Sequence, residues 1–386
     1  MASCGHKSGE ARLSALHRGG RAPGALRLWT ILVCLCLIGL AGCSGPIAGL
    51  PIDPGAVRIP PDDPAYETTV QIKYLGAGSV LIKRGADSLL TAPFFSNPSI
   101  PRVIFGEFGL AEFKSLPEQV DRFLGRQDEP DLAAVTAVLV GHAHYDHMMD
   151  LPYIKKRFLP RAKIYGSDTM RYTLTGDIEL RAEDLVSVER GAWEPPVDGK
   201  PERTGQWWYA SSRLRFMALK SEHAPIIGGI KFFEGHYHAP LHALPTRPSE
   251  WREGQTLAYL IDFLGADGRT VEFRIHYQDA ASTPPSGFPP GFDGSPDQRD
   301  VDVAILCMPG YHQVTEYPEG IIGRVHPRAV LLIHWEDFFA PLPDDPRDLR
   351  TVPMLNAQGF LERLTPALRG APFKMPAPGA WVRYAH

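Results

Sequence analysis

Val135-Thr136-Ala137-Val138-Leu139-Val140-Gly141-His142-Ala143-His144-Tyr145-Asp146-His147 is the stretch on which the reading of this chain turns. Its first six residues are apolar and largely β-branched, which predicts a short strand buried on both faces. Its last six hold three imidazoles and a carboxylate, ligands that suit borderline metal ions. The ligands therefore begin where a strand ends. In extended chain His142 and His144 project to the same side and can share one ion, and the turn that follows aims Asp146 and His147 at a neighbouring one. With 14 His in 386 residues, chance is a poor explanation for such a cluster, and the run reads as half of a two-metal site.

The order His-x-His-x-Asp-His after a buried strand resembles the signature of the metallo-β-lactamase superfamily. The resemblance runs from about Val70 to Leu364 and implies an α/β fold, a four-layer αββα sandwich of two mixed sheets face to face with outer helices. It also implies a later His, a bridging Asp and a final His, matched here by His223, Asp279 and His334. On that pattern His142, His144 and His223 hold the first metal, Asp146, His147 and His334 the second, and Asp279 both. His334-Trp335-Glu336-Asp337-Phe338 is similar to the His-Trp-Gly-x-Phe ending of the branch that contains the N-acylphosphatidylethanolamine-hydrolysing phospholipase D and sugar-lactone hydrolases. Two departures stand out: Thr91-Ala92-Pro93 where relatives read Thr-Asp-Pro, and Gly76-Ala77-Gly78-Ser79 where they read Gly-His-x-Ser. Losing such support behind a metal site typically costs ten- to a hundredfold in affinity or activity, so a non-catalytic metal-binding lipoprotein is the alternative. Iron-dependent oxidoreductases of the same fold commonly carry Glu at the His144 position, and the His here favours hydrolysis.

The strand pattern supports this reading independently. Val271, Phe273, Ile275 and Tyr277 alternate with Glu272, Arg274, His276 and Gln278, a half-buried strand leading into Asp279. Ala329–Ile333 is a further apolar run that delivers His334 at its end. His223 sits in a segment of weak periodicity, with His236, His238 and His242 close behind as competitors. Val70–Tyr74, Val80–Ile82, Leu89–Thr91 and Val301–Met308 read as strands, and Thr283–Pro296 as a long surface loop near Asp279. Ser115-Leu116-Pro117-Glu118 is a capping-box pattern that starts a helix continuing toward Phe123, and Met148–Phe158 predicts another.

Two divalent ions lower the pKa of a shared water to about 7, which makes a nucleophile available at neutral pH. Two zinc ions are the default, and Asp146 is placed to orient the nucleophile or take its proton. The leading substrate class is a phosphodiester-bearing or acyl lipid, with His236, His238, Tyr311 and His312 as candidates to touch it.

Arg18, Arg21 and Arg27 precede an apolar stretch from Leu28 to Leu40, the length of a signal-peptide core. It ends in Leu40-Ala41-Gly42-Cys43, which resembles the bacterial lipobox. The expected organisation is a lipoprotein signal peptide over 1–42, an acylated Cys43 with a Pro-rich semi-rigid tether to 66, and a catalytic domain over 67–386. That places the protein in the cell envelope, anchored to a bacterial membrane and facing the periplasm or exterior. Cys4, Cys34 and Cys36 leave with the signal, so Cys307 remains alone as a small core residue and no intramolecular disulfide is expected. A net charge of -4 offers no basic footprint for nucleic acid.

Overall fold

The computed structural model describes residues 44–125, 129–197, 201–225 and 228–385; the signal segment and Cys43 lie outside them. Apolar runs form strands β1 Ile52–Asp53, β2 Val70–Gly76, β3 Ser79–Arg84, β4 Asp87–Thr91, β5 Ala137–Leu139, β6 Lys163–Gly166, β7 Leu185–Ser187 and β8 Trp207–Tyr209. The second half adds β9 Leu214–Lys220, β10 Leu257–Leu264, β11 Val271–Gln278, β12 Val303–Cys307, β13 Ala329–Ile333, β14 Phe373–Pro376 and β15 Trp381–Tyr384. They assemble into two mixed sheets, ordered β1-β14-β13-β12-β11-β10-β9-β8 and β15-β2-β3-β4-β5-β6-β7.

The pleat sorts the core into layers. In β3 and β5, Ile82, Ala137 and Leu139 point between the sheets, into a cluster shared with Phe216, Ile261 and Ile305. Their neighbours Leu81 and Val138 point the other way, against Val103, Val120, Ile154 and Met170 of the helices over that face. Helices Glu319–Val325 and Ala357–Ala367 contribute Ile322 and Phe360 to the packing of the opposite sheet. The result is the four-layer arrangement of two sheets inside and helices outside. Because β5 is covered on both sides, it reads as a continuous apolar run rather than an alternating one.

Several local expectations change. The helix predicted over Met148–Phe158 is two pieces, Tyr145–Met148 and Leu151–Arg157. Pro152 lacks the N–H needed to continue the first and sits in the opening turn of the second. Between them Asp150 is buried and accepts hydrogen bonds from the N–H groups of Phe95 and Ser96, each at 2.7 Å. The helix Pro117–Leu124 starts as expected, but Leu116 holds the cap position without a side-chain bond, so Ser115 forms no capping box.

β11 is buried on both faces, not half-buried. Arg274 is only 1% exposed because Asp262 of the adjacent β10 takes its Nε at 2.7 Å and its Nη2 at 2.9 Å. The Phe292 ring, carried by the loop predicted from Thr283, covers its guanidinium at 4.7 Å. His276 on the same face bonds Gly287 O through Nε2 at 2.9 Å. Burial, opposed by that hydrogen bond, lowers its pKa to about 4. The unfolded imidazole takes its proton near 6.5, so this contribution to stability is fully present above that pH and is lost as pH falls toward about 4. The loss amounts to ~3 kcal/mol at most. In metal-free protein, His276→Gln is expected to flatten the fall in urea midpoint between pH 6.5 and about 4.

Residues 44–66 are not a tether standing clear of the domain. The Ser44 hydroxyl donates to Asp337 Oδ2 at 2.8 Å, and Gly45 N donates to Thr351 Oγ1 at 3.0 Å. β1 pairs in parallel with β14, and Ala56 bridges to Trp381. Six prolines suit this segment to lying extended along a surface, because each removes a backbone donor that would otherwise need a partner. These contacts hold 44–66 against the domain expected over 67–386.

Candidate metal centre

Three strand ends converge. β5 stops at Leu139 and releases the His142–His147 loop, β11 stops at Gln278 one residue before Asp279, and β13 stops at Ile333 one residue before His334. His223 follows the end of β9 and completes the set. Ligand atoms fall into three groups, each within 4.8 Å: His142, His144 and His223; Asp146, His147 and His334; and, taking one imidazole from each, His142, His147 and Asp279. Asp279 thus stands between the two sets.

His142 Nδ1 lies 2.6 Å from Asp279 Oδ2, and His147 Nδ1 lies 3.3 Å from Asp279 Oδ1. Asp146 Oδ2 is 3.6 Å from the Nε2 atoms of both His147 and His334. The rings of His142 and His223 are 4.6 Å apart, and those of His144 and His223 5.0 Å.

The electrostatics suit a cation. Burial, reinforced by the neighbouring His147, lowers the His142 pKa to about 3. Burial likewise lowers His144 and His223, so these imidazoles are neutral at pH 7 with lone pairs available. Burial pushes the Asp279 and Asp146 carboxyls up, but the facing imidazoles, His147 foremost, outweigh it and hold both below the usual carboxylate range. Among the described residues, the buried Nε2 atoms of His142 and His144 and the Nδ1 atom of His334 have no hydrogen-bond partner. Buried imidazole nitrogens without partners, gathered in one cluster with two carboxylates, are what a divalent ion satisfies, so these residues fit one.

Part of the machinery carries no signal in a ligand pattern. A Cβ at Gly141 would overlap the Asp279 carboxylate, and one at Gly78 would meet His147 Cε1 at 2.7 Å and Asp279 Oδ1 at 3.2 Å, so both positions must be glycine for the loops to close. The Tyr277 hydroxyl donates to Asp279 Oδ1 at 2.5 Å, with Gly78 O also near at 2.8 Å. The positions expected to hold a supporting His and Asp are Ala77 and Ala92, both with positive φ, 47° and 30°. Support comes from elsewhere. Glu336, buried, accepts from Ala77 N and from the Tyr74 hydroxyl, whose oxygen accepts from His334 N at 2.8 Å. His334 itself has φ 62°, a left-handed conformation that costs a non-glycine residue energy and persists only where the surroundings hold it. Tyr74→Phe removes that acceptor while keeping core volume. It is expected to weaken metal binding at the His334 side roughly ten- to a hundredfold and to leave the His142, His144 and His223 side intact, as read by zinc titration.

The cluster floors an open cavity of about 1060 Å³, mouth included. Its walls are Ile100, Tyr145, Phe233, Phe338, Phe339 and Leu355, and its lining holds no Lys or Arg among the described residues. Cys307, buried as expected, also borders it. Of the residues proposed to touch substrate, only His312 lines this cavity. Tyr311 packs on Phe360 and donates to Asn356 O, His236 lines a separate depression, and His238 is exposed. The polar 234–242 stretch runs along the surface, which is why its histidines miss the centre.

No protein-family model matches this chain, and neither does any curated protein. Among solved structures it is similar to a metallo hydrolase from the hyperthermophilic archaeon Ignicoccus hospitalis, at 15% identity over 83% of this chain and 100% of that one, TM-score 0.46. An isothiocyanate hydrolase from Delia radicum gut bacteria is similar at 11% identity over 82% and 100%, TM-score 0.44. A diiron β-hydroxylase from Streptomyces venezuelae is similar at 14% identity over 83% of this chain and 54% of that one, TM-score 0.43. The fold assignment rests on the two sheets described above and not on these likenesses.

Proposed function

We propose that this chain is a metal-dependent hydrolase holding two zinc-like divalent ions, and that it cleaves an ester-type bond in a neutral, apolar acyl substrate. The observation that carries this reading is the seven-residue His/Asp cluster at the floor of an apolar cavity whose lining, among the described residues, holds no Lys or Arg. His142, His144 and His223 would hold one ion, Asp146, His147 and His334 the other, and Asp279 both. The ions, when bound, supply an activated water and an electrophile for the carbonyl oxygen.

The chain's own residues do the rest. Asp146 is the carboxylate of the cluster with the most access, its side chain 15% exposed against 0% for Asp279, and it faces the cavity to orient a water and receive its proton. Ile100, Phe233, Phe338 and Phe339 take up the apolar part of the substrate and exclude bulk water, which strengthens every charge interaction at the floor. The ions would be the sole countercharge a phosphodiester meets, since the lining adds no Arg or Lys among the described residues, whereas an acyl chain matches the apolar walls, so of the two lipid classes the acyl one suits them better.

Metal analysis of the purified protein followed by a panel of long-chain acyl esters, lactones, phosphodiesters and β-lactams tests this. The expected result is two ions per chain and fastest turnover on a neutral acyl ester or lactone. A fully metallated protein inert on the whole panel would return the chain to the metal-binding lipoprotein reading, and preference for a phosphodiester would overturn the substrate class.

A further inference from the structure

We infer that the mouth of the cavity faces a lipid bilayer, with Phe105, Phe108 and Leu110 entering its interface. The inference rests on the membrane anchor expected from residues 1–43 and needs nothing from the hydrolase reading.

Three large apolar side chains stand exposed within six residues: Phe105 at 50%, Phe108 at 42% and Leu110 at 75%. They lie on and just after the helix Ile100–Glu107. The same helix presents Ile100 and Ile104 to Phe339, and both Ile100 and Phe339 belong to the cavity wall. The exposed patch is therefore carried by the same helix that supplies Ile100 to the cavity wall, and an apolar patch close to an apolar opening marks an interaction surface.

What covers it is indicated by where the chain leaves the domain. Ser44, one residue after Cys43, is fastened to Asp337 Oδ2 at 2.8 Å, and the other oxygen of that carboxylate accepts from Phe339 N at 2.9 Å. One side chain thus ties the start of the domain to the wall residue that packs on the patch-bearing helix. The apolar Leu28–Leu40 segment and the lipobox-like Cys43 lie immediately before that point. With Gly45 also bonded to Thr351, an acyl chain on Cys43 would be one residue from this fastening, which keeps the domain close to the bilayer. Aromatic and aliphatic side chains at such a place gain by burying themselves in the interfacial region of the bilayer.

The test uses the processed lipoprotein, in which Cys43 is acylated and holds no free thiol, with Cys307→Ser in the background, reconstituted on vesicles of phosphatidylethanolamine and phosphatidylglycerol. A nitrobenzoxadiazole label is attached through Leu110→Cys or, as the control, through Arg269→Cys. Arg269 is exposed on the β10–β11 hairpin, at the far end of β11 from Asp279. The expected result is a blue-shifted emission at position 110 that is largely lost when brominated lipids are used, with position 269 unshifted and unquenched. Water-like emission at both positions on vesicle-bound protein overturns the inference, as does quenching at both, or failure of the chain to bind the vesicles. None of these readings depends on turnover or on metal, so a failure here leaves the hydrolase reading standing, and an inert enzyme leaves this one standing.

Discussion

Asp279→Ala is expected to abolish metal binding on both sides of the centre at once and to reduce turnover to background. Asp279 is the one carboxylate grouped with an imidazole from each ligand set, and its two oxygens face His142 and His147 at 2.6 and 3.3 Å. Removing it takes away a ligand and also the negative charge that offsets two cations held in a buried pocket. It further leaves the buried His142 Nδ1 without its partner. Elemental analysis after dialysis against excess zinc is the measurement. Retention of one tightly held ion would show that the two sets are filled independently, and the bridging role would be withdrawn. The thermal midpoint of metal-free protein, measured beside wild type, separates this from unfolding.

Asp146→Asn has the second largest expected effect and a different signature. The amide keeps an oxygen toward His147 and His334, so much of the metal is expected to remain, while the group can no longer take up a proton. General-base assistance is worth about 10²–10⁴-fold, and a fall in kcat of that order is expected at full metal occupancy. The anionic state of Asp146 is supplied by its surroundings. Burial alone raises its pKa, and the charge of His147, with the hydrogen bond from His334 behind it, more than reverses that. The carboxylate is therefore ionised throughout the neutral range. A pH profile that rises through about 7 would report the activated water and not Asp146. A metallated Asp146→Asn protein with wild-type turnover would remove Asp146 from the chemistry.

The two effects differ because the residues reach the centre by different routes. Asp146 sits inside the loop that also carries His142, His144 and His147, so its proximity to them is a property of six consecutive residues. Asp279 lies 137 residues from His142 along the chain, and only the docking of β11 against its neighbours brings them to 2.6 Å.

That distinction runs through the whole molecule. The sequence by itself determined what is local. The apolar β5 run, the ligand spacing after it, and the apolar runs of β11 and β13 ahead of Asp279 and His334 are written in a few adjacent residues each. Period-2 and continuous apolar patterns report strands because burial on one or both faces is decided by where successive Cβ atoms point. Only the tertiary structure decided which histidine joins His142 and His144, because His223 and its competitors sit in segments without periodicity. It also placed Tyr74 and Glu336 behind His334 where Ala77 and Ala92 carry no supporting group, required glycine at 78 and 141, and fastened Ser44 to Asp337 instead of letting 44–66 run free. Each of these depends on distances between residues scores to hundreds of positions apart, set by how two sheets pack. Composition and pattern constrain the faces of an element, whereas the partner that each face meets is fixed only when the layers close.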